Sequence, residues 1–325
     1  MITNKTILIF GGTGSLGNEL NKRYLNNNII YNVSRDENKH WKMKLEFNNN
    51  KNLNFIIGNI NEKNRIREII KRINPNIIII ASAMKHIDIC ELNINECLNT
   101  NLNGTKNILD CVDELQNELN NLETVLFVSS DKACSPINTY GMCKAISENM
   151  IVEKAYYLKK FKFVNIRYGN VLNSNGSIIP TLHLIGKNPN YNSFNLTNEN
   201  MTRFIMTLES SVDLIEYAIL NGNSGDTIIS ELKSMNVKDL IEIFAEKYNK
   251  EIKIIGLRNN EKLLESLINE SQSGRIIQKD KYIHIQSVLD FKDKINIDKL
   301  KDYNSMINNL SKDELKKYLI ELNLL

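Results

Sequence analysis

Thr6-Ile7-Leu8-Ile9-Phe10-Gly11-Gly12-Thr13-Gly14-Ser15-Leu16-Gly17 is the stretch that decides how this chain folds. Its first five residues are an apolar, β-prone run suited to a buried parallel strand. The glycines follow directly, and a helical pattern runs from about Ser15 to Leu25. Strand, glycine-rich turn and helix together form the phosphate-binding start of a dinucleotide fold. Glycine permits the tight turn and lets the backbone approach a pyrophosphate closely, and the helix start offers free N–H groups and partial positive charge. The spacing Gly11-x-x-Gly14-x-x-Gly17 departs from the common G-x-G-x-x-G form. Gly11, Thr13, Gly14, Ser15, Leu16 and Gly17 are the expected cofactor contacts of this turn.

Outward from that start, strands and helices alternate. Ile29 to Val33 reads as a second strand, Asn54 to Gly58 as a third and Ile77 to Ala81 as a fourth. A helix over Glu62 to Ile73 is ended by Asn74-Pro75. One long helix is expected from about Glu96 to Leu119, then a strand over Thr124 to Val128. This alternation implies an α/β fold with a doubly wound parallel sheet. Ligands bind beyond the carboxyl ends of such strands, where Ser34, Asn59, Ser82, Ser129 and Asp131 fall. The second strand ends in Ser34-Arg35-Asp36-Glu37. An acid at that tip favours NAD, whereas Arg suits a 2′-phosphate. Ser34 and Arg35 hold the tip, so the reading is NADP. Alternatively, Ser34 or Asp36 caps the next helix.

A second dense stretch follows the fifth strand: Ser129-Ser130-Asp131-Lys132-Ala133-Cys134-Ser135-Pro136-Ile137-Asn138-Thr139-Tyr140-Gly141-Met142-Cys143-Lys144. Tyr140 and Lys144, four apart, share a helix face. A phenol with pKa near 10 becomes a usable base when positive charge lies close. The stretch therefore reads as proton chemistry.

The composition suits a soluble enzyme. The chain has 325 residues, with 41 Lys and Arg against 38 Asp and Glu, a net charge of +3. That balance implies no nucleic-acid or membrane partner. No apolar stretch is long enough to cross a bilayer, and the N-terminus does not read as a signal peptide. The five cysteines, at 90, 97, 111, 134 and 143, form no CxxC pair and read as reduced thiols of a cytoplasmic protein. Four scattered His residues suggest no metal site. The richness in Asn, Ile and Lys looks like AT-rich coding bias.

The glycine turn with Tyr140-x-x-x-Lys144 resembles the extended short-chain dehydrogenase/reductase superfamily, with its Rossmann sheet and smaller C-terminal substrate-binding domain. Within it the chain is similar to the inverting UDP-N-acetylglucosamine 4,6-dehydratases of the polysaccharide-biosynthesis branch. Tyr31 to Glu37, Ala83-Met84-Lys85-His86, Ser130 to Ala133, Pro136-Ile137-Asn138, Arg167 to Val171, Gly176-Ser177, Met201 to Phe204 and Glu261-Lys262-Leu263 carry the likeness. The resemblance implies Ser130, Asp131, Lys132, Tyr140 and Lys144 as catalytic residues. It extends the cofactor site to Asn59, Ile60, Ala81, Ala83, Lys85 and Asn101, beside Tyr140 and Lys144. Lys85, Asn170, Arg203 and Arg258 are the expected substrate contacts. His86 reads as a hydrogen-bonded structural residue.

Asp131-Lys132 sets the subfamily apart. Simple 4-epimerases resemble a pattern with small or apolar residues there, and retaining dehydratases a Thr-Asp-Glu arrangement. An elimination across C5 and C6 needs one group to take the C5 proton and another to protonate the departing oxygen. By this resemblance Lys132 is the base, with a lowered amine pKa, and Asp131 the acid. Tyr140 takes the 4-hydroxyl proton and Ser130 bonds the 4-oxygen. The departures are Ser130 where many relatives have Thr, and Asn59 where an Asp commonly meets adenine. Tyr140 is kept where some relatives have Met.

Residues 1–170 are expected to form the NADP-binding domain, with about 205–232 returning to it, and 171–325 the substrate-binding domain and helical tail. Leu315, Tyr318, Leu319 and Leu322 give the tail, Leu300 to Leu325, helical spacing. A homo-oligomer, dimer or hexamer, is implied by the resemblance. A UDP-hexose 4-epimerase and a non-catalytic NADP-binding protein remain the alternatives.

Overall fold

The computed structural model describes residues 1–292 and 301–325. Its first half is a regular alternation: β1 (Thr6–Phe10), α1 (Ser15–Tyr24), β2 (Ile29–Ser34), α2 (Glu37–Glu46), β3 (Leu53–Ile57), α3 (Lys63–Ile73) and β4 (Ile77–Ile80). Branched side chains, stiff at χ1, make these strands because they pack well on a pleated surface covered on both faces. All four isoleucines of β4 are buried. Each contributes about 1.5–3 kcal/mol of burial. α3 stops where Asn74 takes a left-handed conformation, φ 44°. Pro75 closes the right-handed helical region to its predecessor, and Asn tolerates the alternative.

The helical run after β4 departs from expectation. After α4 (Ile87–Leu92), the one helix expected over Glu96 to Leu119 is divided among α5 (Ile94–Cys97), a wide π-helical turn over Leu98–Asn103, and α6 (Gly104–Glu114). The wide turn contains Asn101, whose amide clasps the Met84 backbone. Met84 N–H donates to Asn101 Oδ1 at 2.7 Å, and Asn101 Nδ2 donates to the Met84 carbonyl at 2.9 Å.

β5 (Thr124–Val128), α7 (Thr139–Tyr157) and β6 (Lys162–Ile166) continue the sheet. β7 (Asn170–Val171), α8 (Ile178–Lys187), β8 (Ser193–Leu196) and β9 (Thr202–Met206) leave it. α9 (Leu208–Asn221) packs beside α1, and β10 (Thr227–Ser230) pairs in parallel with β6. β11 (Lys233–Asn236), α10 (Val237–Tyr248), β12 (Glu251–Ile254), β13 (Ser266–Ile268) and α11 (Glu270–Ser273) leave again. β14 (Ile276–Lys279) and β15 (Tyr282–Ile285) form a hairpin, and β15 joins β10 antiparallel. β16 (Tyr303–Asn304), β17 (Asn309–Leu310) and α12 (Lys312–Glu321) end the chain.

The large sheet has the order β14-β15-β10-β6-β5-β4-β1-β2-β3. From β10 to β3 every pair is parallel. One core lies under α3, α6 and α7, and a second under α1 and α9. Strand order reverses between β1 and β4, which opens a crevice beyond their carboxyl ends. A smaller sheet, β17-β11-β9-β7, stands over that crevice. Its core includes Phe194, Leu240 and Phe244, with Leu315 and Leu319 of α12 buried against it. The tail reading starts at Leu300, outside the described residues. Among the described residues no helix is long and apolar enough to cross a membrane.

Candidate active site

A cleft of about 1130 Å³ lies beyond the carboxyl ends of β1, β2, β4 and β5. Gly11 stands at φ 90°, and a Cβ there would meet Ser82 N at 2.7 Å. At Gly17 a Cβ would sit 2.2 Å from the Gly12 carbonyl. The backbone thus closes into a turn that no side chain could occupy. Gly14 caps α1 without a side-chain bond, and no acid lies in the first turn. The free N–H groups of α1 suit a phosphate. Thr13, Ser15 and Leu16 line the same wall.

At the tip of β2 the two readings separate by residue. Asp36 caps α2, accepting from Lys39 N–H at 3.1 Å, and that backbone bond holds its carboxyl below the usual range. Ser34 Oγ lies 2.7 Å from His40 Nε2. Arg35 lines the cleft with Lys39 and Lys42. Asn59 Oδ1 accepts from Asn61 N–H at 3.1 Å, which leaves its NH₂ and one oxygen lone pair for a base. Ile60, Ala81 and Ala83 line the cleft, and Asn101 does not. Asn101 stands behind Ala83 and fixes Met84, so the structure makes it a support for the wall. Lys85 donates to the Asn175 carbonyl, and Asn175 N–H donates to Ser15 Oγ at 3.0 Å. A strap of backbone thus crosses the cleft. Burial pushes the Lys85 amine down.

Ser130, Asp131, Lys132, Tyr140 and Lys144 all line this cleft. A short 3₁₀ turn, Asp131–Ala133, follows β5, with Ser130 Oγ accepting from Lys132 N–H at 3.0 Å. Asn138 caps α7 by accepting from Gly141 N–H at 2.9 Å. Those two caps aim Tyr140 at the turn. Burial raises the Tyr140 phenol well above its ordinary value, while a Ser130 hydrogen bond pulls the other way. Lys144 donates to the Val128 carbonyl at 2.8 Å, over the Phe127 ring. Burial pushes its amine down to about 8, with Glu148 opposing. Desolvation dominates the Tyr140 shift and Lys144 is not among its main causes; the expected base draws on the charge of the nicotinamide as well.

Lys132 corrects its reading. Its amine meets Asp131 Oδ1 at 3.0 Å, Asn170 Oδ1 at 3.1 Å and Glu265 Oε1 at 3.8 Å. Burial alone would lower its pKa, yet the charges of Asp131 and Glu265 prevail and raise it. Glu265 is itself buried, and burial raises its carboxyl. It was not singled out from sequence, because Glu261-Lys262-Leu263-Leu264-Glu265 looks like a solvated loop. Tyr168, also missed, lines the cleft beside Asp131, its phenol raised by burial.

Arg203 reaches the cleft but is 8% exposed. Its Nη atoms donate to the carbonyls of Thr202 (2.8 Å), Lys262 (2.9 Å) and Leu263 (3.2 Å). It is a clamp on the 262–263 segment and not an open fork for phosphate. Arg258, exposed, lines the mouth of the cleft. Ser82 Oγ, Ser129 Oγ and Asp131 Oδ2 are buried without a hydrogen-bond partner among the described residues, and their residues line the cleft. Such groups call for a polar ligand. Among the described residues no group of three or more His, Cys, Asp or Glu could hold a metal ion.

A glycine turn at the switch point, with a Tyr and Lys one helical turn apart beside it, defines an extended short-chain dehydrogenase/reductase. Comparison with known proteins agrees. The chain belongs to the polysaccharide biosynthesis protein family, whose model matches residues 7–287. It is 36% identical over 286 residues to a UDP-glucose 4-epimerase of Rickettsia rickettsii, covering 85% of this chain and 81% of that one. It is 34% identical over 302 residues to a UDP-N-acetylglucosamine 4,6-dehydratase (inverting) of Campylobacter jejuni, covering 91% and 87%. The crystal structure of Pen from Bacillus thuringiensis superposes with a TM-score of 0.88 at 29% identity, over 99% of each chain.

Proposed function

We propose that this chain is an NADP-dependent UDP-N-acetylglucosamine 4,6-dehydratase that inverts C5. The observation that carries this reading is Asp131 and Lys132 in contact at 3.0 Å inside the cleft, beside Tyr140. A dinucleotide lying along the glycine turn supplies hydride transfer from sugar C4 and back to C6. Tyr140 accepts the 4-hydroxyl proton as C4 is oxidised, helped by positive charge brought beside it, and Ser130 bonds the 4-oxygen. The resulting ketone acidifies C5–H. Lys132 takes that proton and Asp131 gives one to the C6 oxygen, which leaves as water. C5 is then reprotonated from the opposite face. The raised affinity of Lys132 fits this scheme if the pair works with one shared proton. Passing it across the 3.0 Å contact turns an ion pair into a neutral amine and a carboxylic acid.

Ser34 and Arg35, with Lys39 and Lys42, support a 2′-phosphate and hence NADP. We assign the nine-stranded sheet to the cofactor, and the part built on β7, β9, β11, α8 and α10 to the UDP-sugar. Exposed Met142, Ile146 and Tyr157 on α7 favour self-association into a homo-oligomer. A second reading, 4-epimerisation, is supported by the Rickettsia relative. It uses Tyr140 and Ser130 and gives Asp131 and Lys132 no task.

The test is proton NMR of UDP-N-acetylglucosamine with purified protein and NADP in D₂O. A C6 methyl signal, deuterium at C5 and couplings of an L-configured ring are expected. A galacto isomer without a methyl signal sinks the dehydratase reading in favour of the epimerase, and a D-configured methyl product sinks only the inversion.

A further inference from the structure

Glu265 lies 133 positions from Lys132 in sequence, and it does not line the cleft. It is 3% exposed, Asp131 is 1% exposed, and both face the Lys132 amine, at 3.8 and 3.0 Å. Main-chain bonds fix the Glu265 backbone: its N–H donates to Ser305 Oγ at 3.0 Å, and Ser305 N–H donates to its carbonyl at 2.8 Å. Oε1 faces Lys132 at 3.8 Å and Arg203 Nε at 4.0 Å, and Oε2 faces Lys262 Nζ at 3.7 Å. Glu265 Oε2 and Asp131 Oδ2 are both buried without a hydrogen-bond partner among the described residues. A carboxylate with no surface and no path to substrate is an expensive thing to bury for packing alone. Its location puts a carboxylate beside the amine, with Lys132, Arg203 and Lys262 facing it.

We propose that Glu265 is a positioning residue for the elimination, acting through Lys132 to keep the shared proton in the Asp131–Lys132 pair. This inference rests on the dehydratase reading. The pair functions with one proton between its two groups and fails when that proton is lost to solvent. Lys132 is faced by Asp131 from its own turn, Asn170 from β7 and Glu265 from the segment before β13. Arg203 of β9 and Lys262 are the cations that face Glu265, and the Arg203 charge opposes protonation of Lys132. A negative charge at 3.8 Å in a buried setting therefore sets where the pair gives up its proton. Arg203 and Lys262 fix that charge in place, which gives the clamp on residues 262–263 a chemical purpose.

The experiment isolates the pair from the oxidation step. The 4-keto, 6-deoxy product made by the wild-type enzyme is returned to enzyme in D₂O, and exchange of C5–H is followed by NMR against pH. Wild-type exchange should rise toward basic pH as the pair gives up its proton and Lys132 becomes a free base. Glu265→Gln, similar in shape but neutral, should move that basic limb to lower pH by about one unit or more. Glu265→Asp keeps the charge but draws it one methylene away from the amine, and should move the limb in the same direction by a smaller amount. Melting temperature and calorimetric NADP binding establish that each variant is folded. An unmoved basic limb in a folded Gln variant overturns the inference and leaves Glu265 a structural residue. Should the Gln variant not fold, a basic limb in Glu265→Asp identical to wild type overturns it equally. Wild-type enzyme that yields no methyl product brings down the dehydratase reading and this inference together, whereas methyl product with an unmoved limb brings down the inference alone.

Discussion

Arg35 and Asp36 are neighbours with opposite charge and different work. Asp36 is engaged at the start of α2, while Arg35 stands on the cleft wall with no salt bridge among the described residues. A charged hydrogen bond to phosphate contributes about 1.5–3 kcal/mol. Arg35→Ala should therefore weaken NADP by about tenfold or more and leave NAD nearly unchanged, read by parallel calorimetric titrations. Equal loss for both cofactors would refute a 2′-phosphate role. At this scale the sequence is legible where chemistry is local. The i,i+4 pair Tyr140 and Lys144 and the adjacent Asp131 and Lys132 converge because spacing alone dictates it. Arg203 and Glu265 were misjudged or missed because their partners, main-chain carbonyls and a lysine 133 positions away, leave no mark nearby.

The π-helical turn shows the same limit for an element. Strands β1, β4 and β5 announce themselves as apolar runs, and Asn74-Pro75 marks a helix end. Nothing within Leu98–Asn103 signals a wide turn, since Asn101's partner is Met84, 17 residues earlier. Asn101→Ala would strip two bonds from the part-buried Met84 backbone, next to Ala83. A loss of about 1–3 kcal/mol in urea unfolding is expected. NADP binding should weaken too, because the Ala83–Lys85 wall loosens. Unchanged unfolding and binding would show the clasp to be incidental. The β14–β15 hairpin was likewise absent from the sequence reading: its strands are four residues each, too short for periodicity to speak.

Over the whole molecule, Arg167 joins parts distant in sequence. At 3% exposure it binds both oxygens of buried Glu148 on α7, at 2.8 and 2.6 Å. It also donates to the Leu267 carbonyl at 2.9 Å and to Gln272 Oε1 at 2.8 Å. The large sheet is thus locked to β13 and α11. Arg167→Met should destabilise by about 3–5 kcal/mol, because Glu148 is left as an uncompensated buried charge. The double variant Arg167→Met, Glu148→Leu should recover most of that loss in thermal and denaturant unfolding. No recovery would mean that the contacts to Leu267 and Gln272 carry the effect.

The pairing of β10 with β6 has a consequence for how the chain is made. On the ribosome, Lys162–Ile166 emerges well before Thr227–Ser230, the strand that covers its outer side. Translation at about 5–20 residues per second leaves a nascent chain with that apolar sheet edge bare for several seconds. An uncovered edge is a template for pairing with other chains. Chaperone capture, or a pause in synthesis shorter than this window, becomes a condition of good yield, and stalled products ending between the two strands should be the ones that aggregate.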